Sequence, residues 1–220
     1  MKFENAFAGA KKMFIAEILM FVTAVFTLCF TLFAENWSAD SEASSGFGVL
    51  AVFVVFLVIG AIELVAYVID LIGVIKAAKD EDYFRGSLYL TIATLLAFIA
   101  QGYFTSGDIR NHIFALMGIV LGFGATVYVL RGFISLSEEL ERPSLAKTGY
   151  VLLAILLFVN ALQFAAKLLG TIFVSDANAA DIAAVFNNVA SVVSIVESVI
   201  YIVYLKKVMK TLGTKSYSFD

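Results

Sequence analysis

The sequence predicts an all-α, polytopic integral membrane protein. Residues 1–220 form one domain, a bundle of six transmembrane helices with both termini cytoplasmic. Three observations predict it. The 220 residues are 61% hydrophobic and only 15% charged, where soluble domains run at about 45–50% and 25%. Six separate apolar stretches reach the roughly 17–25 residues that a helix needs to cross a bilayer. Thirteen of the 15 Lys and Arg fall on segments that such a path places on one side.

The predicted helices, in order, are 13–34, 47–75, 86–104, 113–135, 149–174 and 182–205. The first follows Lys11 and Lys12, as a signal peptide would. Its apolar core is longer than the roughly 7–15 residues of such a peptide, and its end lacks an A-x-A cleavage site. It reads as a retained transmembrane helix. The second is the most continuous apolar run, and the turn after it carries Lys76, Lys79 and Arg85. The third ends in a short loop with Asp108, Arg110 and His112. The fourth has no acidic or amide side chain, but it carries Gly118-x-x-x-Gly122, a small-residue spacing that lets two helices approach closely. That face suits a packed interior or contact with a second copy or another membrane protein. The fifth starts after a loop holding Pro143, the only proline. The sixth runs into Lys206, Lys207, Lys210 and Lys215.

Lys2, Lys11 and Lys12, the loop cations Lys76, Lys79, Arg85, Arg142 and Lys147, Arg131 at the end of the fourth helix, and the tail lysines share one side. The positive-inside rule makes that side cytoplasmic, and an even number of helices agrees. The first outer loop carries Glu35, Asp40 and Glu42 and no cation. Trp37 in it suits an interfacial anchor. Asn36-Trp37-Ser38 matches the N-glycosylation pattern, which chance explains better. A bacterial cytoplasmic (plasma) membrane is the expected location, with the lipid bilayer as first partner.

Composition and motifs exclude several function classes. There is no basic arm for nucleic acid. Cys29 is the only cysteine and His112 the only histidine, so no internal disulfide forms and no multi-histidine metal site exists. No phosphate loop, H-E-x-x-H or G-x-S-x-G motif occurs. A nucleophile paired with a base is also missing. The expectation is a protein that is not an enzyme and uses no cofactor and no metal.

The informative residues are polar groups inside apolar runs. An acid at bilayer depth costs about 2.5–3.5 kcal/mol on insertion scales, so it usually has a partner or a task. At 1.5 Å per residue, Glu63 lies about 20 Å from Lys76, Asn160 about 20 Å from Lys147, and Glu197 about 14 Å from Lys206. All three fall in the central part of a hydrocarbon core about 30 Å thick. Glu63, Tyr67 and Asp70 recur at i, i+4 and i+7 and share one helix face. Asn160, Gln163, Lys167 and Thr171 share another, and Asn187, Ser191, Ser194, Ser198 and Tyr201 a third, with Glu197 at its edge.

These stripes admit two roles. As glue they hydrogen-bond across helices for about 0.6 kcal/mol each. As a site, Glu63, Glu197, Asn160, Gln163, Tyr67 and Asp70 line a path for a small solute or a cation. Glue accounts poorly for two acids with no basic residue at their depth. Transport or permeation is therefore the expected function. The alternative is a non-catalytic membrane subunit or scaffold that packs on another membrane protein. Size and helix count also suit a small substrate-binding subunit of an energy-coupled importer, on architecture alone. Glu17 lies near Lys11 and Lys12 and is expected in a surface salt bridge.

Overall fold

A computed structural model describes residues 3–38, 46–105, 108–172 and 177–214. Asp40, Glu42, Lys2 and Lys215 lie outside the described residues, as do the side chains of Glu35, Asn36, Trp37, Ser38, Lys167, Thr171 and Asn187. Six helices follow one another: α1 (Glu4–Ser38), α2 (Gly46–Ala77), α3 (Asp82–Gly102), α4 (Ile109–Glu139), α5 (Pro143–Ile172) and α6 (Ala177–Thr214). Each contains a segment long and apolar enough to cross a membrane. Each packs against its neighbours in sequence, and α6 closes against α1, so the helices form a ring. The α2–α3 seam is the most sparsely packed.

The outside of the ring is apolar. Phe53, Leu57, Leu64 and Leu96 are exposed, Leu64 by 64%. Continuous apolar surface of this kind is adverse in water and matches lipid.

The packed core sits at the end of the bundle that holds both termini. Phe3, Ala6, Ala10 and Met13 repeat at three and four residues and are buried, and they meet Val74, Phe84, Phe133, Tyr204 and Leu212. The Phe84 and Phe133 rings meet edge to face at 5.0 Å. This core explains why α1 begins before residue 13 and α6 runs beyond 205. The added turns are amphipathic. A continuous apolar run marks what crosses lipid, whereas the i, i+3, i+4 pattern continues the helix beyond it.

Turns at this end are tied by side chains. Asp80, between α2 and α3, accepts from Asn5 Nδ2 at 2.9 Å and from the Ala6 backbone N–H at 2.7 Å. A carboxylate thus satisfies donors in the first turn of α1, where the helix dipole favours negative charge. Arg85 Nε donates to the Ala78 carbonyl at 3.0 Å, which closes the same turn.

Pro143, expected in a loop, is the first residue of α5. Its missing N–H costs nothing there and its φ suits a helix. The preceding turn ends α4 with the Arg142 N–H on the Ser137 carbonyl and the Glu141 N–H on that of Glu138, both at 2.9 Å. This double closure puts Glu141 in the left-handed region, with φ 56, where glycine is the favoured residue. Glu141→Gly should therefore stabilise the protein by about 1 kcal/mol. A denaturant midpoint no higher than that of the parent chain would refute the strain.

At the opposite end, Asp108 caps α4 by accepting from the Arg110 N–H at 2.9 Å. Asn111 Nδ2 donates to the carbonyls of Gln101 and Phe104, both at 3.1 Å, which covers the end of α3. The Arg110 guanidinium, 2.6 Å from Asp108, also lies 4.4 Å from the Phe104 ring centre. Hydrogen bonds from the Arg110 side chain, then from its backbone, hold the Asp108 carboxyl below the usual carboxylate range. The pair therefore persists at moderately acid pH and is lost as pH falls through that lowered value. His112 is half-buried in the first turn of α4.

Candidate functional site: two polar cavities in the ring

Because α1 to α6 form a ring, polar stripes on several helices can face one another across its interior. Among the described residues, two cavities can be traced there. The distal one, away from the termini, has a volume of about 690 Å3 and is lined by Phe21, Ala24 and Thr27 of α1, Glu63 of α2, Gln163 of α5, and Asn188, Ser191, Ser194 and Ser198 of α6. The proximal one, of about 340 Å3, is lined by Glu17 and Met20 of α1, Tyr67 and Asp70 of α2, and Tyr201 of α6, and closed by residues of α3 and α4. Along α2, Glu63 and Asp70 are separated by about 10 Å at 1.5 Å per residue. The cavities are therefore stacked along the bundle axis.

Glu17 stands in the proximal wall and Ser198 in the distal wall. The expected surface salt bridge for Glu17 gives way to this inward position. The reason is angular. Lys11 and Lys12 are six and five residues away, which on a helix of 3.6 residues per turn sets Lys12 about 140° from Glu17. Glu17 instead shares its face with Met20, Phe21 and Ala24, which line the same two cavities. Glu17 is also close enough to Asp70 and to Glu197 for their charges to interact. Among the described residues no group of three acids, histidines or cysteines is arranged to hold a metal ion.

The residues singled out by sequence separate as follows. Glu63 is exposed into the distal cavity, opposite Gln163 and the α6 serines. Tyr67 and Asp70, on the same face of α2, border the proximal cavity. Glu197 lines neither cavity, and its charge neighbours are Glu17 and Tyr201. Asn160 also lines neither: its Nδ2 donates to the Leu156 carbonyl of its own helix at 3.0 Å. Gly118 and Gly122 face α3. A Cβ on Gly118 would meet the Phe98 ring at 2.8 Å, and one on Gly122 the Thr94 methyl at 3.6 Å. This small-residue pair is used for packing inside the chain.

Sequence reasoning missed two parts of the site. One is Glu17. The other is the hydroxyl wall of the proximal cavity, made by Ser87, Thr91 and Thr94 of α3 with Thr126 of α4. The α3 residues recur at i, i+4 and i+7, the same signal that marks α2, so their common face was legible. Their role was masked because a hydroxyl in an apolar helix normally bonds its own backbone. All three threonines do so: Thr91 to Ser87 at 2.9 Å, Thr94 to Leu90 at 2.8 Å, and Thr126 to Gly122 at 3.2 Å.

Compared with known proteins, the chain matches no family model, no curated protein and no solved structure.

Proposed function

We propose that the protein conducts or carries a small polar solute or ion across a membrane, a bacterial plasma membrane being the expected setting. The observation that carries this reading is Glu63, an acid within an apolar helix, exposed into a cavity of about 690 Å3 with Gln163 and the α6 serines across from it. Keeping an acid at bilayer depth costs a few kcal/mol, and a cavity that gives it water or a ligand offsets that cost. The proximal cavity, with Glu17 and Asp70 in its wall, lies between this cavity and the termini.

The test is flux into proteoliposomes of the full chain, run with sodium, potassium, glycerol and urea as probes. Glu63→Gln should cut flux of the responding solute at least tenfold while leaving the melting temperature within a degree or so of the parent. Unchanged flux in Glu63→Gln, or no flux with any probe, counts against transport and for the non-catalytic subunit. In that case a partner would dock elsewhere than on Gly118 and Gly122, which α3 covers.

A further inference from the structure

The walls of the proximal cavity are chemically one-sided. Among the described residues no Lys, Arg or His lines it. It offers the carboxyl groups of Glu17 and Asp70, contributed by two helices. The hydroxyls of Thr91, Thr94 and Thr126 add to this in a specific way. Each donates its proton to the carbonyl four residues earlier, so each leaves only oxygen lone pairs for the cavity. The cavity therefore presents these threonine oxygens and the two acids as acceptors and attracts positive charge, with the Tyr67, Tyr201 and Ser87 hydroxyls as its donors.

A separate observation points to an occupant. Ser87 borders this cavity and is 1% exposed, yet its Oγ has no hydrogen-bond partner among the described residues. A buried hydroxyl left unsatisfied is costly, and a ligand bearing an N–H or O–H group would satisfy it.

Size and composition narrow the ligand class. About 340 Å3 is the share of roughly ten liquid waters at 30 Å3 each, far more than a bare metal ion fills. No trio of acids, histidines or cysteines suited to a metal is present among the described residues. Tyr67 and Tyr201 add aromatic wall, which attracts cations through the ring face and packs on methylene groups. A ligand with several N–H donors, a positive charge and a short apolar body matches all of these.

We infer that the proximal cavity is a binding site for a small organic ammonium ion of the primary-amine class. Its ammonium group sits between Glu17 and Asp70, with the threonine oxygens and Ser87 completing its hydrogen bonds. Its carbon chain lies against Tyr67 and Tyr201. Binding ties α1 to α2. The site is distinct from the distal cavity, so the inference holds whether or not Glu63 serves transport.

The experiment uses the purified full chain in detergent micelles at neutral pH and fixed ionic strength. The probe is n-butylammonium, with sodium and butyrate as comparisons, read by isothermal titration and thermal unfolding. A single saturable site for n-butylammonium is expected, with a concentration-dependent rise in melting temperature that neither sodium nor butyrate reproduces. Asp70→Asn and Glu17→Gln should each weaken binding at least tenfold. Thr94→Val, which keeps the side-chain shape and removes one acceptor, should weaken it severalfold. Asp82→Asn, whose side chain is 86% exposed at the terminal end, should leave it unchanged. Absence of saturable binding to the parent chain overturns the inference. So does equal binding by a folded Asp70→Asn variant, or an equal response to sodium, which would indicate an inorganic cation.

Discussion

Gly9→Ala is expected to destabilise the protein by about 1–3 kcal/mol, the usual cost of overpacking a filled interior. A Cβ on Gly9 would lie 2.6 Å from the Gly73 carbonyl oxygen and 2.9 Å from the Ala77 Cβ. One on Gly73 would lie 2.9 Å from the Gly9 oxygen. Both obstacles include backbone, so no rotamer change relieves them, and α1 and α2 must separate where the terminal core begins. Gly60→Ala, on the same α2 helix, meets nothing within 4 Å. It should be neutral or stabilising by up to about 1 kcal/mol, because alanine has the higher helix propensity. Thermal unfolding of the two variants side by side checks the claim. Equal melting temperatures would show that the α1–α2 crossing tolerates a methyl group.

Asp80→Ala should free the start of α1. It removes the acceptors of the Asn5 side chain and the Ala6 N–H. Hydrogen bonds to a charged group are worth about 1.5–3 kcal/mol, and the negative charge next to the α1 N-terminus goes with them. The terminal core then loses its hold on Phe3, Ala6 and Ala10, which that turn positions. Hydrogen exchange over residues 3–13 should accelerate in Asp80→Ala, while exchange over the middle of α4 stays as it was. Unchanged exchange in the first two turns would mean that packing alone holds this end.

The terminal core and its ties show where sequence and structure part. The basic residues and apolar runs reveal six helices, and periodicity places Glu63, Tyr67 and Asp70 on one face of α2. That these residues open into two cavities follows only from what stands opposite them. Asn160 illustrates the limit. It has the depth and type of a site residue, but its amide is used by the Leu156 carbonyl of its own helix. Glu17 illustrates the converse. Two lysines nearby in sequence suggest an ion pair, and the helical angle turns it into the cavity that Asp70 also lines.

From the sequence alone come the all-helical class, the six apolar segments and the polar stripes. Hydropathy and periodicity determine these because each depends on residues within a few turns of one another. Only the tertiary structure decided that α6 closes on α1, that Gly118 and Gly122 are covered by α3, and that hydroxyls of α3 and α4 complete a cavity begun by Glu17 and Asp70. Those outcomes depend on which helix faces which, and at what rotation. Close packing between residues far apart in the chain sets both, and no local pattern records them.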